Sequence, residues 1–231
     1  RVNPTQQAAI SDIWRLATAR CTSRDLVTCI RKQFPAGTTY FNVGHSNLRE
    51  KVFSAIKSHT NSSIIILIHD IIPLTYSEYS TPSTAQNFRS SMQLVARMAD
   101  KVIYNSKATQ IDAEQYFSNL GRVPPGISAH LGIDPLAIPQ IVDNPPKTPQ
   151  FVILGTIEPR KNHALLLEIW RGYIKTLAST ETPTLHIIGK RGWKNTGVFN
   201  ILDNDPMMDK HVFEHNNLDD KVTRQMLAAS H

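Results

Sequence analysis

Apolar residues in this chain fall into two kinds of pattern. Some form short unbroken runs, and others recur every three or four positions. The runs predict strands at 39–43, 64–68, 102–104, 127–131, 151–154, 185–188 and 212–214. The earlier runs are unalternated and rich in isoleucine, as buried parallel strands tend to be. Between them lie helical patterns. Residues 5–19 carry Ile10, Ile13, Trp14 and Ala17 on one face, and 86–98 carry Met92, Val95 and Met98. In 163–177 the stripe is Leu166, Ile169, Trp170, Tyr173, Ile174 and Leu177, and a last helix is expected over 219–230. Strands alternating with helices imply an α/β architecture with largely parallel sheets.

One stretch breaks the alternation. Residues 134–150 read DPLAIPQIVDNPPKTPQ and hold five prolines, which lack an amide donor and disfavour helix in the residue before them. This sets three expected segments: a first domain over 1–137, a proline-rich linker over 138–149 and a second domain over 150–231. Neither a repeat nor a low-complexity tract is visible. The first element is a helix with no strand before it, and no strand follows the last helix. The expectation is therefore of part of a longer polypeptide, with both domains incomplete.

The length of 231 residues suits two small domains or one large one. The longest apolar run, 64–68, is far too short to span a bilayer, and residues 1–10 contain no signal-peptide core. Cys21 and Cys29 would sit near one face of a continuous helix, too far apart along it for a disulfide. They are read as buried free thiols in a reducing compartment. Asn61-Ser-Ser is then a chance sequon. The formal charge of +6 fits a phosphate-bearing ligand or an anionic membrane surface. It fits nucleic acid less well, since no zinc-finger spacing, aromatic RNA-binding motif or long basic run accompanies it.

Ligands of open parallel sheets bind outside the carboxyl ends of the strands, so the residues after each strand are the candidates. These are Gly44 and His45, His69 and Asp70, Asn105 and Ser106, Gly132 and Asp134, Gly155 and Thr156, and Gly189, Lys190 and Arg191. The segment FVILGTIEPRKNHALLLEIW, 151–170, passes from strand to helix through a turn holding Glu158, Arg160 and Lys161. Gly155 permits a sharp turn, Asn162 is an expected N-cap, and a helix N-terminus beside two cations makes an anion site. The alternative is two solvated loop cations. His69 and Asp70 leave a very apolar strand, where they either meet a sugar hydroxyl or leaving group or merely cap the next turn. In GKRGW, 189–193, Lys190 and Arg191 could meet phosphates or a base, and Trp193 either packs on the protein, the preferred reading, or stacks on a ligand. The scattered histidines form no convincing metal set. Neither dinucleotide nor P-loop glycine fingerprint is present.

Taken in order, YFNVGHSNL, IIILIHDIIPL, ADKVIYNSKAT, AHLGID, GTIEPRKN and LHIIGKRGW resemble the bacterial group 1 (family 4) glycosyltransferases, above all mannosyltransferase-like enzymes of surface polysaccharide and lipopolysaccharide synthesis. The resemblance runs from about residue 40 to the end, and GTIEPRKN is its most specific piece. It implies a GT-B fold: two Rossmann-like domains with the active site between them, an acceptor on the first and a nucleotide-diphosphate sugar on the second. It also implies retention of anomeric configuration, with protein cations and amides at the diphosphate in place of a metal and no cofactor besides the donor.

Lys161 matches the family's diphosphate-binding lysine, with Arg160 beside it, and His69 matches the histidine near the donor sugar. Thr156 stands where the family often has an arginine. His69 and Asp70 would be the catalytic residues, and Asp70 would line the acceptor side with Gly44, His45, Asn105 and Ser106. The donor side would hold Gly155, Thr156, Arg160, Lys161, Lys190 and Arg191. The family's paired-glutamate motif is expected after a helix such as 221–230, where the sequence stops, so these residues alone are expected to transfer sugar poorly. The expected partners are a nucleotide sugar, GDP-mannose first, and a saccharide or lipid-linked acceptor. The expected location is cytoplasmic, with the basic excess allowing peripheral membrane contact. A catalytically inactive GT-B-like scaffold subunit is the alternative.

Overall fold

A computed structural model describes residues 19–44, 46–132 and 148–230. The chain divides into two compact units, 1–133 and 134–231. In the first, α1 (Leu26–Gln33) precedes β1 (Thr39–Asn42), α2 (Glu50–Lys57), β2 (Ser63–Ile68) and a single helical turn, α3 (Ile72–Thr75). There follow α4 (Pro82–Met98), β3 (Lys101–Tyr104), α5 (Lys107–Asn119) and β4 (Gly126–Ser128). All pairings are parallel and the sheet order is β1-β2-β3-β4.

Burial in β2 alternates. Ile64, Ile66 and Ile68 are fully buried, while Ile65 and Leu67 are half-buried. The unbroken apolar run therefore encodes a parallel strand with one face fully covered, not two. That face packs on Phe53 and Ile56 of α2, Met92 and Val95 of α4, and Phe117 of α5. Asp100 fastens the base of the sheet, accepting from the Ile64 amide at 2.7 Å and pairing with Lys57 at 2.5 Å.

The second unit runs β5 (Gln150–Leu154), a 3-10 turn (Pro159–Lys161), α6 (His163–Thr176), β6 (Thr184–Ile188), α7 (Thr196–Asn204), β7 (Val212–His215) and α8 (Asp220–Ala228). Its sheet is parallel in the order β5-β6-β7. The core joins Leu167 and Trp170 of α6, Val198 and Leu202 of α7, and Leu185, Ile187 and Val212 of the sheet. The buried Trp170 indole donates to the Pro183 carbonyl at 2.8 Å, which satisfies its one polar atom.

Several expectations need correction. On α6, Leu167 and Trp170 are buried, whereas Ile169, Tyr173 and Leu177 are each 38–39% exposed. The contact stripe is thus rotated from the periodic one, because the sheet covers only a narrow strip of the helix. The strand expected at 127–131 is β4, and ends at Ser128. The thiols are not two buried helical residues. Cys21 precedes α1 and is exposed, and Cys29 is half-exposed on α1. The two are neighbours, and a hydrogen bond from Cys29 is the main influence raising the Cys21 thiol pKa. The helix expected at 5–19 and the linker at 138–149 lie outside the described residues, save for their last one or two positions.

Candidate functional site

In the second unit the site is built on three parallel strand ends. After Leu154 the chain turns at Gly155, whose φ of 137° favours glycine. The loops after β5 and β6 are then sewn together. The Gly155 amide donates to the Ile188 carbonyl at 2.8 Å, Ile157 to Lys190 at 2.9 Å, and Gly192 back to Ile157 at 3.1 Å. A Cβ on Gly189 would fall 2.1 Å from the Gly155 oxygen, so only glycine lets the backbones approach this closely. β7 joins through the Gly189 amide, which donates to the His215 carbonyl at 2.9 Å. Turned to its satisfied orientation, the Asn216 side-chain amide bridges Glu214 and the Gly189 carbonyl. Sequence reasoning did not include this third strand end; the parallel register Ile188↔His215 brings it to the same edge.

This stitching corrects one expectation. The amides of Gly155, Ile157, Lys161 and Asn162 all donate to backbone carbonyls, so none of these four is free for an anion. Asn162 is also not a side-chain cap. It adopts a left-handed conformation with φ 52°, and its side chain makes no capping hydrogen bond. Its role is to turn the chain between the 3-10 turn and α6.

The four cations separate into two kinds. Arg160 pairs with Glu158 at 2.5 Å, and Glu158 is only 3% exposed. Arg191 forks onto both oxygens of Glu214 at 2.8 and 2.7 Å and reaches Asp203 at 2.7 Å, with its guanidinium 5.4 Å from the Phe199 ring centroid. The hydrogen bonds to these carboxylates raise the Arg191 pKa and hold the Asp203 carboxyl below its ordinary range. Arg160 and Arg191, expected to bind phosphate, are thus neutralised by the protein. The side chains of Lys161 and Lys190 have no hydrogen-bond or ion-pair partner among the described residues, and both residues are exposed. The Lys161 side chain folds back over Gly155, its Nζ 3.7 Å from where a Cβ would stand. Thr156 is exposed beside it and crowds Gly192, where a Cβ would meet its methyl at 2.8 Å.

Beneath the turn His163 is 1% exposed, and neither ring nitrogen meets a hydrogen-bond partner among the described residues. Burial, with Lys161 nearby, holds its pKa below the ordinary value. Trp193, expected to pack, is 51% exposed. On the sheet face opposite the core, His186 stacks between Phe213 and His215, with Nδ1 2.9 Å from the His215 Nε2. Burial, then His215, lowers the His186 pKa.

In the first unit the strand ends are also tied. The His69 Nε2 donates to the Val43 carbonyl at 2.8 Å, and in the neutral ring this leaves Nδ1 as the acceptor nitrogen. Asp70 accepts from the Ile72 amide at 3.1 Å and so starts the α3 turn. Ser106 is the N-cap of α5, accepting from the Thr109 amide at 3.1 Å. Thr109 Oγ1 lies 3.1 Å from the His69 carbonyl and 3.0 Å from the Asn105 side-chain oxygen, which gathers the ends of β2 and β3. The Gly44 amide donates to Asn42 at 3.3 Å, while His45 lies outside the described residues. A groove of about 590 Å³ opens between the start of α2 and the flank of α4, lined by Asn47, Arg49, Glu50, Asn87, Ser90 and Arg97 among others. It contains none of the expected site residues. Among the described residues, no three His, Cys, Asp or Glu side chains converge as a metal-ligand set, and no helix is long and apolar enough to cross a membrane.

No family model matches the chain. Among curated proteins it is 28% identical over 184 residues to a serotype-specific mannosyltransferase, WbdA, of Escherichia coli; the match covers 71% of this chain and 22% of the relative. The chain thus spans about a fifth of the length of that relative. Among solved structures it superposes on a chain of the GtfA/B complex, with TM-score 0.54 and 14% identity, over 84% of this chain and 37% of that one. It superposes on Anabaena HepE, solved with UDP-glucose, with TM-score 0.57 and 15% identity, over 90% of this chain and 54% of that one. These likenesses show the fold, and the α/β fold of this chain is GT-B.

Proposed function

We propose that the protein is a retaining glycosyltransferase of family 4, moving a sugar from a nucleotide-diphosphate donor to a saccharide or lipid-linked saccharide acceptor in surface polysaccharide synthesis. One observation carries the reading. Beyond the carboxyl end of β5 a lysine ammonium is folded over a glycine with no counter-ion among the described residues, directly after an arginine that has one. A site that neutralises Arg160 and Arg191 internally and leaves Lys161 and Lys190 exposed is arranged to receive outside negative charge. The similarity to a mannosyltransferase favours GDP-mannose as the first donor to test, and a neighbour solved with UDP-glucose supports a nucleotide sugar as the ligand class.

In this mechanism Lys161 and Lys190 stabilise the charge that develops on the leaving diphosphate as the glycosidic bond breaks. The Glu158–Arg160 pair holds the turn that presents Lys161. On the first unit His69 is the group proposed to meet the transferred sugar, with Asp70 fixing the turn beside it. Gly44, His45, Asn105 and Ser106 are proposed for the acceptor side, Ser106 acting through the helix it caps. The cytoplasmic face of a membrane is the proposed setting, since the net charge of +6 suits anionic surfaces.

The test is sugar transfer by the intact protein and its Lys161→Ala variant, after thermal-shift screening against GDP-, UDP- and dTDP-sugars. Loss of one transition-state cation should lower turnover by roughly 10²–10³. Wild-type transfer by the variant would overturn the assignment of Lys161.

A further inference from the structure

The loop after β6 carries a feature that charge neutralisation does not use. Trp193 leaves half of its indole in solvent, and no hydrogen bond or ring contact engages it among the described residues. The two residues before it, in contrast, are anchored. The preceding Gly192 is bonded to Ile157, and Arg191 is clamped by Glu214 and Asp203. After it, Lys194 turns the chain with φ 52° into α7. A solvent-facing indole carried directly after two anchored residues is placed for stacking.

Its place limits the ligand. Trp193 stands three residues beyond Lys190, so their Cα atoms are separated by about 10 Å at most. In a nucleoside diphosphate the ribose holds the base a comparable span from the phosphates. Exposed lysines at 190 and 194 flank the indole, which suits a ligand that brings negative charge along with an aromatic ring.

We propose that Trp193 is the stacking platform for the nucleobase of the donor. The inference rests on the donor reading above and adds the group that distinguishes a nucleotide from a bare diphosphate. Aromatic stacking tolerates different bases, so this contact supplies affinity while the choice of base falls to other groups.

Calorimetric titration of the intact protein with GDP, UDP and inorganic pyrophosphate tests it, using wild type, Trp193→Ala, Trp193→Phe and Lys161→Ala. The expected result is about tenfold weaker nucleoside diphosphate binding in Trp193→Ala with pyrophosphate binding unchanged, and most of the affinity restored in Trp193→Phe. The tryptophan fluorescence quench on GDP or UDP binding should vanish in Trp193→Phe. Nucleotide binding that is unchanged in Trp193→Ala but lost in Lys161→Ala sinks the stacking role and leaves the donor site standing. Equal weakening of nucleotide and pyrophosphate shows a merely structural ring and overturns the proposal. Failure of wild type to bind any of the three ligands overturns the donor site and the platform together.

Discussion

Replacing Gly189 by alanine tests the close backbone approach between the ends of β5 and β6. The added methyl would lie 2.1 Å from the Gly155 oxygen and 2.6 Å from its carbonyl carbon, against about 3.5 Å for an ordinary contact. Both obstacles are backbone atoms, so no rotamer change relieves them. Relief requires the ends of β5 and β6 to separate. That strains the bonds from Gly155 to Ile188, Ile157 to Lys190 and Gly189 to His215, now 2.8, 2.9 and 2.9 Å. At about 1 kcal/mol for each bond the expected loss is about 3 kcal/mol, at the top of the usual overpacking range. With a urea dependence of about 2 kcal/mol per M, the midpoint for the second unit should fall by about 1.5 M. Gly172→Ala is the control. It sits mid-helix on α6 with nothing within 4 Å of its Cβ, and should stabilise by up to about 1 kcal/mol. An unchanged midpoint for Gly189→Ala would refute the idea that the two loops are locked by backbone contact.

Glu158→Gln keeps the shape of the buried side chain but removes the charge opposite Arg160, and should cost about 1–3 kcal/mol in urea unfolding. His163 has a native pKa held below its ordinary value near 6.5 by burial, so the unfolded chain takes up its proton first on acidification. Stability should therefore be full above about pH 6.5 and decline as pH falls toward the native value. His186 is lowered by burial and by His215 and titrates in the same window. His163→Leu should flatten the decline measured from pH 7 to 5, and adding His186→Leu should flatten it further; an unaltered slope in both contradicts the assignment. Ser106→Ala removes the α5 cap and should lower stability by about 1 kcal/mol, seen as a lower melting temperature.

The strands were legible because each core run is short, apolar and closed by glycine or a polar residue. Ile64–Ile68 announces β2 without reference to anything distant. Burial on α6 was less legible, because Leu165–Leu167 is apolar all round and only the position of the sheet selects Leu167. At the site, Gly155 and Lys161 were readable from a strand-to-helix turn with adjacent cations. The division of labour among the cations was not. Arg160 finds its carboxylate two positions back, but Arg191 finds its partners 12 and 23 residues away, separations to which local pattern is blind. The solvent-facing Trp193 escaped for the same kind of reason. Nothing in GKRGW tells whether an apolar neighbour arrives to cover the ring.

In both units the spatial order of the strands repeats their order along the chain, β1-β2-β3-β4 and β5-β6-β7. None of the described strands has to wait for a later described one to slip in beside it. As the polypeptide leaves the ribosome, each new strand meets an edge that has already emerged, and the sheet can lengthen in step with translation. Parallel pairing is ordinarily slow because distant segments must find each other. Among the described strands every partner is the one synthesised just before, so a nascent edge stays unpaired only until the helical segment that follows it has emerged.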